Sequence, residues 1–270
     1  MRCVTIRFVS GNGSGAEGCT GKGDTGTDHR RNRFSGMASV RGVRGGRCGT
    51  SRGEWMLRYE SKVWDAAPGE VLAGVDEAGR GCLAGPVVAG AVAMSAETAE
   101  RLYAGEFAEL TDSKQLTVAR REAFFGRLAE MPEVTWATGL CNAEEIDRLN
   151  ILSATHLAMR RAVEALAVRP THVLVDGLPV KGLPCASTAI VQGDAKSFLI
   201  AAASVVAKVT RDRMMCELDA RFPQYGFAAH KGYGVNAHMA ALFKYGPCAE
   251  HRHTFRPVQD ADQKLPGFEY

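Results

Sequence analysis

The stretch Val71-Leu-Ala-Gly-Val-Asp-Glu-Ala-Gly-Arg-Gly81 decides how the rest of the chain is read. Val71 to Val75 is a short apolar run of the kind that forms a buried strand, and it ends abruptly on two acids, Asp76 and Glu77. Glu77 to Gly85 is a glycine-rich turn, and Pro86 to Met94 makes a second apolar run. A strand, a tight turn that begins with carboxylates and a second strand form a unit that later elements can be measured against.

Working outward, short β-prone runs alternate with helical ones, the pattern of an α/β domain. Val134 to Leu140 reads as a third strand, and Thr117 to Ala129 before it has helical period. Asn142-Ala-Glu-Glu145 fits a capping box that opens a helix running, with a break near Asn150, to Ala167, where Arg169-Pro170 stops it. His172 to Val175 and Ala189 to Val191 read as buried-type strands. The long helix Lys196 to Arg221 follows, and Val235 to Lys244 makes a last helix. The boundaries expected are a disordered Gly/Arg-rich tail over 1–55, a linker over 56–69, a catalytic core over 70–222, a helical part over 223–258 and a flexible tail over 259–270.

The tail assignment rests on composition. Residues 1–55 hold 13 of the 30 glycines and neither helical nor strand periodicity, too little apolar surface to offset the entropy of ordering. Within it the Arg/Gly run Arg41 to Gly53 could bind single-stranded nucleic acid loosely, but a solvated linker, or sequence upstream of a start at Met37 or Met56, is the plainer reading. It carries a charge of +6 and the remainder −3, so the whole-chain charge of +3 does not by itself announce a nucleic-acid binder. The apolar runs fall far short of the roughly 20 residues a membrane-spanning helix needs. No apolar block of signal-peptide length follows Met1, so a cytoplasmic protein is expected. The eight cysteines lack the spacing of a zinc site and read as free thiols.

Three apolar strands end in acids: Val71 to Val75 at Asp76-Glu77, His172 to Val175 at Asp176, and Ala189 to Val191 two residues before Asp194. Parallel strands of an open α/β sheet deliver such residues to one rim, where ligands bind. Carboxylates a few ångströms apart cannot all stay ionised without a cation, and hard oxygen donors select Mg2+ or Mn2+ over zinc or copper. Taken singly, each acid has a plainer explanation. Asp76-Glu77-Ala-Gly and Asp176-Gly177 are turn sequences, and Asp194 would cap the long helix in any protein.

Six segments carry a resemblance that chooses between these readings. They are Gly74-Val-Asp-Glu-Ala-Gly-Arg-Gly81, Thr111-Asp-Ser-Lys114, Val175-Asp-Gly177, Gly193-Asp-Ala-Lys-Ser197 with Ala201-Ala-Ala-Ser204 and Ala207-Lys208, His230-Lys-Gly-Tyr-Gly234, and His251-Arg252 with Phe255. In this order they resemble the signatures of bacterial ribonuclease HII. The resemblance implies a ribonuclease H-like fold, a five-stranded mixed sheet flanked by helices with a C-terminal helical extension. It implies that Asp76, Glu77, Asp176 and Asp194 bind two Mn2+ or Mg2+ ions, which act on either side of one phosphorus. The substrates implied are the RNA strand of RNA–DNA hybrids and duplex DNA with an embedded ribonucleotide, cut to leave 3′-hydroxyl and 5′-phosphate ends.

By the same resemblance the backbone of Gly79, Arg80 and Gly81 reads the 2′-hydroxyl, the group that distinguishes RNA from DNA, and Tyr233 stacks on the neighbouring sugar. Lys196 and Ser197 are also expected at the substrate, with Lys114, Lys181, Lys231 and Arg252 as further phosphate partners. Cys82 stands where the family more often has proline, and Val235 where it has threonine. A ribonuclease HIII-like nuclease is the nearest rival, but its fourth carboxylate is glutamate and it lacks the Gly-Tyr-Gly segment. A non-catalytic nucleic-acid binder gains nothing from four acids beside phosphates. A monomer is expected. Gln263, Leu265 and Phe268 lie near the pattern of a sliding-clamp peptide but at the wrong spacing, so an ordinary tail is the plainer reading.

Overall fold

A computed structural model describes residues 56–110 and 116–263. Residues 1–55, expected as a tail, the whole Thr111–Lys114 motif, and Leu265 and Phe268 lie outside the described residues.

Five strands form one mixed sheet in the order β3-β2-β1-β4-β5: β1 Leu72–Ala78, β2 Val87–Met94, β3 Thr135–Cys141, β4 His172–Asp176 and β5 Ala186–Ile190. β1 pairs antiparallel with β2 and parallel with β4; β2 pairs antiparallel with β3, and β4 parallel with β5. The helices are α1 Arg58–Ala66, α2 Ala96–Ala104, α3 Val118–Glu130, α4 Ala143–Leu149, α5 Ile151–Glu164, α6 Phe198–Arg221, α7 Phe227–His230, α8 Asn236–Tyr245 and α9 Arg256–Asp262.

Helix α6 lies against β1 and β2 on one face of the sheet, and α5 against β2 and β3 on the other. Both approaches depend on glycine. A Cβ on Gly74 or Gly90 would come within 2.3 or 2.4 Å of the α6 backbone at Leu199 or Ala203, and one on Gly139 within 2.3 Å of the α5 backbone at Ala158. The helices therefore sit directly on the strands. The first turns of α6 are buried on every side, with Phe198 edge-on to Tyr103 and Phe107 in a core that α1, α2 and α3 complete. This explains why α6 reads as an almost unbroken apolar run before Lys208.

The capping box at Asn142 and Glu145 is present as expected. The break at Asn150 is a residue at φ 65° that ends α4 and caps α5 through Ser153 N. Four features differ from the sequence reading. Residues 56–69 are not simply a linker: Arg58–Ala66 is a helix that buries Glu60 and Trp64. β5 is an edge strand, exposed over its first residues rather than buried, because only β4 pairs with it. Ser197, not Asp194, caps α6, its hydroxyl accepting from Ile200 N at 3.2 Å. Residues 259–262 are not tail, since they belong to α9, which buries Val258 and Ala261.

Burial raises the Glu60 carboxyl to about 7, against the opposing pull of bonds from Ser197 and Leu199. The folded chain therefore holds this proton where the unfolded chain has released it, and the group's contribution to stability falls as pH rises from about 4.5 to about 7. Glu60→Gln removes that dependence. Chemical denaturation is expected to show the variant gaining on wild type steadily across this window and then keeping a constant lead. A difference independent of pH would contradict the assignment.

Candidate active site

The parallel register pairs Val75 with Val175, so the next residues, Asp76 and Asp176, emerge side by side. β4 stops there, and Gly177, at φ 82°, turns the chain away with its N–H on Ile190 O. β1 does not end at Asp76 as the sequence suggested. It continues to Ala78 against β2, which leaves the β4 side of Asp76 and Glu77 open. After β5, Gln192 at φ 57° leads into a single 3-10 turn, Gly193–Ala195, that carries Asp194. Gly193 N donates to Asp176 Oδ1 at 2.6 Å, which ties this turn to the end of β4.

Asp76 and Asp194 are each only 5% exposed. Burial and then the charges of Glu77 and Asp176 hold the Asp76 carboxyl well above the usual carboxylate range, although Ser204 and Glu77 N both bond to it. Arg80 reaches Glu77 Oε1 at 3.2 Å. The acids share a rim rather than a finished cage. Among the described residues no three His, Cys, Asp or Glu side chains are disposed to hold one ion as they lie. The donor set itself fits a hard divalent cation: oxygen ligands only, and buried like charges that a cation would neutralise.

Beside the acids, the glycine loop is fastened by two fully buried arginines. Arg252 donates to Gly79 O at 2.7 Å, Arg80 O at 2.8 Å and Gly85 O at 3.0 and 3.1 Å. Arg211 donates to Pro86 O at 2.9 Å, Ala84 O at 3.1 Å and Lys231 O at 2.9 Å. A guanidinium suits this task because it presents five donors in a rigid fork and accepts nothing. Burial lowers Arg252 to about 10, so it stays charged at neutral pH. Gly79, at φ 95°, packs directly on Arg211, where an added Cβ would lie 2.0 Å from Nε. Gly81 faces open space, and the Arg80 side chain is 53% exposed.

Leu83 N donates to Gly232 O at 2.8 Å, joining this loop to the one that carries Tyr233. The tyrosine ring is 44% exposed, as expected of an aromatic between glycines in a loop. Beneath it runs a chain of buried imidazoles whose protonation the contacts dictate. Cys248 N donates to His251 Nδ1 at 3.0 Å, so His251 carries its proton on Nε2 and gives it to His238 Nε2 at 3.1 Å. His238 Nδ1–H then donates to Tyr233 O at 2.9 Å. All of this requires neutral rings, and burial lowers both, His251 to about 4.

Two expected substrate residues are corrected. Ser197 is fully buried, its hydroxyl donating to Glu60 at 2.6 Å, so it is not offered to a ligand. Arg252 is not a phosphate partner but the clamp on the glycine loop. Lys196 holds Val191 O at 2.7 Å, and Lys231 meets Cys216 Sγ at 3.1 Å. Lys181 is exposed. Cys82 is fully buried, so a bulky thiol reagent would not reach it as the folded chain stands. The sequence reading missed Arg211 and Glu60. An arginine inside the buried stripe of α6 was the available signal for the first.

The family model described as Ribonuclease HII matches residues 73–258, from β1 through to Val258 in α9. The chain belongs to the ribonuclease HII family. Members of ribonuclease HII are metal-dependent endonucleases. The ribonuclease HII of Geobacillus thermodenitrificans is 50% identical over 212 residues, covering 78% of this chain and 77% of the relative. Among solved structures, the ribonuclease H2 of Pyrococcus horikoshii superposes with a TM-score of 0.60 at 28% identity, covering 71% of this chain and 97% of that one. An Archaeoglobus fulgidus ribonuclease HII solved in complex with PCNA superposes at 0.58 with 25% identity, covering 72% and 98%. The ribonuclease HII match removes the sister family as the better description.

Proposed function

We propose that this chain hydrolyses the RNA strand of RNA–DNA hybrids and nicks duplex DNA on the 5′ side of single embedded ribonucleotides, with Asp76, Glu77, Asp176 and Asp194 as its metal ligands. The observation that carries the reading is that Asp76, Glu77 and Asp176 sit at one rim, with the turn of Asp194 tied to Asp176, beside a backbone loop fastened by buried arginines. Carboxylates alone would suit many phosphodiesterases; the loop supplies discrimination.

The carboxylates would hold two Mg2+ or Mn2+ ions, which supply an activated water and stabilise the departing oxygen. The protein's own part is positioning. With the Gly79 and Arg80 carbonyls held by Arg252 and Gly79 packed on Arg211, the Gly79–Gly81 segment can approach a ribose through its glycines, where the absence of a Cβ permits a short distance. Amide and carbonyl groups there would bond the 2′-hydroxyl, both donor and acceptor, and a deoxyribose would leave them unpaired. Arg80 and Lys196 would face phosphates, and the Tyr233 ring the sugar where RNA gives way to DNA.

Among the described residues no helix is long and apolar enough to cross a membrane. That the chain acts as a monomer in the cytoplasm is a separate proposal. A sliding clamp remains a partner proposal; the PCNA complex of the Archaeoglobus relative supports it, and of the tail residues it would use Gln263 is described while Leu265 and Phe268 are not.

Mapping the ends released from a duplex with one ribonucleotide tests the chemistry. A 3′-hydroxyl on the upstream fragment and a 5′-phosphate on the ribonucleotide are expected. A 2′,3′-cyclic phosphate would mean that the 2′-hydroxyl attacks rather than being read, and would overturn the mechanism.

A further inference from the structure

Glu60 is the buried charged side chain whose presence the fold explains least. It lies in α1, ahead of the residues matched by the family model, and it is fully buried. Its Oε2 meets no donor among the described residues. A buried carboxyl with one oxygen unsatisfied costs free energy that a leucine of similar size would not. Packing therefore does not account for it, whereas the bonds of its other oxygen do.

Glu60 Oε1 accepts from Ser197 Oγ at 2.6 Å and from Leu199 N at 3.1 Å. Ser197 in turn accepts from Ile200 N at 3.2 Å, so the carboxyl and the serine together fill the donors at the start of α6. From Ser197 the bonds run back to the acids. Ser197 N and Lys196 N both donate to Gly193 O, at 2.8 and 2.9 Å, and these bonds close the turn that holds Asp194. From the same residue, Gly193 N donates to Asp176 Oδ1.

Orientation of this turn is not fixed by local sequence. Gln192 enters it in the left-handed region, the turn is a single 3-10 unit, and Lys196 leaves it at φ −129°. A short turn with irregular residues on both sides needs an outside contact to hold one orientation, and α1 supplies that contact.

We propose that Glu60 is a positioning residue for the metal-binding carboxylates: through Ser197 and Leu199 it fixes the Gly193–Ser197 turn, and through that turn Asp194 and Asp176. The proposal rests on the reading of those two acids as metal ligands. Partners of this kind, which orient a ligand without touching the metal, typically change metal affinity about 10- to 100-fold when lost.

Calorimetric titration of the full chain with Mn2+ alone separates the possibilities. Glu60→Ala is expected to weaken Mn2+ binding about tenfold or more and to shift the Mn2+ dependence of cleavage equally, with the KM for hybrid unchanged. Glu60→Gln keeps the Oε1 acceptor and is expected to bind Mn2+ within about threefold of wild type, a rescue that tracks the hydrogen bond rather than the charge. Should Glu60→Ala fail to fold, Ser197→Ala cuts the same chain of bonds with less loss of packing, and its affinity should fall likewise. Asp194→Asn is the control. If it weakens Mn2+ binding while the folded Glu60 and Ser197 variants bind as wild type does, the positioning role is wrong. Wild-type Mn2+ affinity for Asp194→Asn would instead overturn the carboxylate assignment on which the proposal stands.

Discussion

Asp76→Asn and Asp176→Asn are each expected to abolish cleavage in Mg2+, with losses of about 10²- to 10³-fold or more, while the protein stays folded. Asparagine preserves shape and one acceptor oxygen, so Asp176→Asn can keep its bond from Gly193 N and the turn beyond it. What it removes is charge aimed at the cation. At Asp76 the asparagine variant loses no stability by this change. Burial and the charges of Glu77 and Asp176 already oppose ionisation there, so the neutral amide relieves repulsion. Asp76→Asn should therefore unfold at the wild-type temperature or above it. Nicking at the wild-type rate by either variant would sink the metal-ligand assignment, and a collapse in stability would show that the loss of activity was structural.

The second large effect concerns Tyr233. Removing its ring should leave the loop in place, because the backbone is held independently: Tyr233 N donates to His230 O at 3.0 Å and His238 holds Tyr233 O. Base and sugar stacking on an aromatic ring is worth about 1 to 3 kcal/mol, or roughly ten- to a hundredfold. On a long hybrid many registers can bind productively, and a lost stacking contact is diluted. On a duplex with one ribonucleotide a single register is productive, so the full penalty applies. Tyr233→Ala should thus nick a lone ribonucleotide roughly ten- to a hundredfold more slowly while cutting a long hybrid with a smaller loss. Tyr233→Phe should stay close to wild type on both. Equal losses on the two substrates would remove Tyr233 as the sensor of the RNA-to-DNA junction.

How much of this was legible depends on how local each signal is. An apolar run, two acids and a glycine turn adjacent in sequence drew attention to Asp76 and Glu77, but the spacing fitted a plain turn equally well and the family resemblance made ligands of them. Asp176 and Asp194 were expected at the same rim by the rule that parallel strands end together, and β4 obeys it directly. β5 obeys it less neatly, since Asp194 reaches the rim through a separate turn.

The misreadings share a physical cause. Ser197 and Asp194 are both good helix caps, and the one that serves is bonded to Glu60, 137 residues earlier in sequence, a contact that local sequence does not reveal. Nothing within α1 itself betrays that its carboxyl is buried, because burial there is created by α6. Arg252 read as a surface cation for the same reason. An arginine is placed in the interior only when several unpaired carbonyls converge, and the carbonyls of Gly79, Arg80 and Gly85 converge only in the folded chain.

The most direct test of the account as a whole is a comparison of strand cleavage on four duplexes of one sequence: RNA–DNA hybrid, DNA with one ribonucleotide, all-DNA and all-RNA, each with Mg2+ or Mn2+ and with chelator. The account predicts cutting of the first two only, on the ribonucleotide-containing strand, and none with chelator. Cleavage of the all-DNA duplex, or cleavage that persists in chelator, would contradict it.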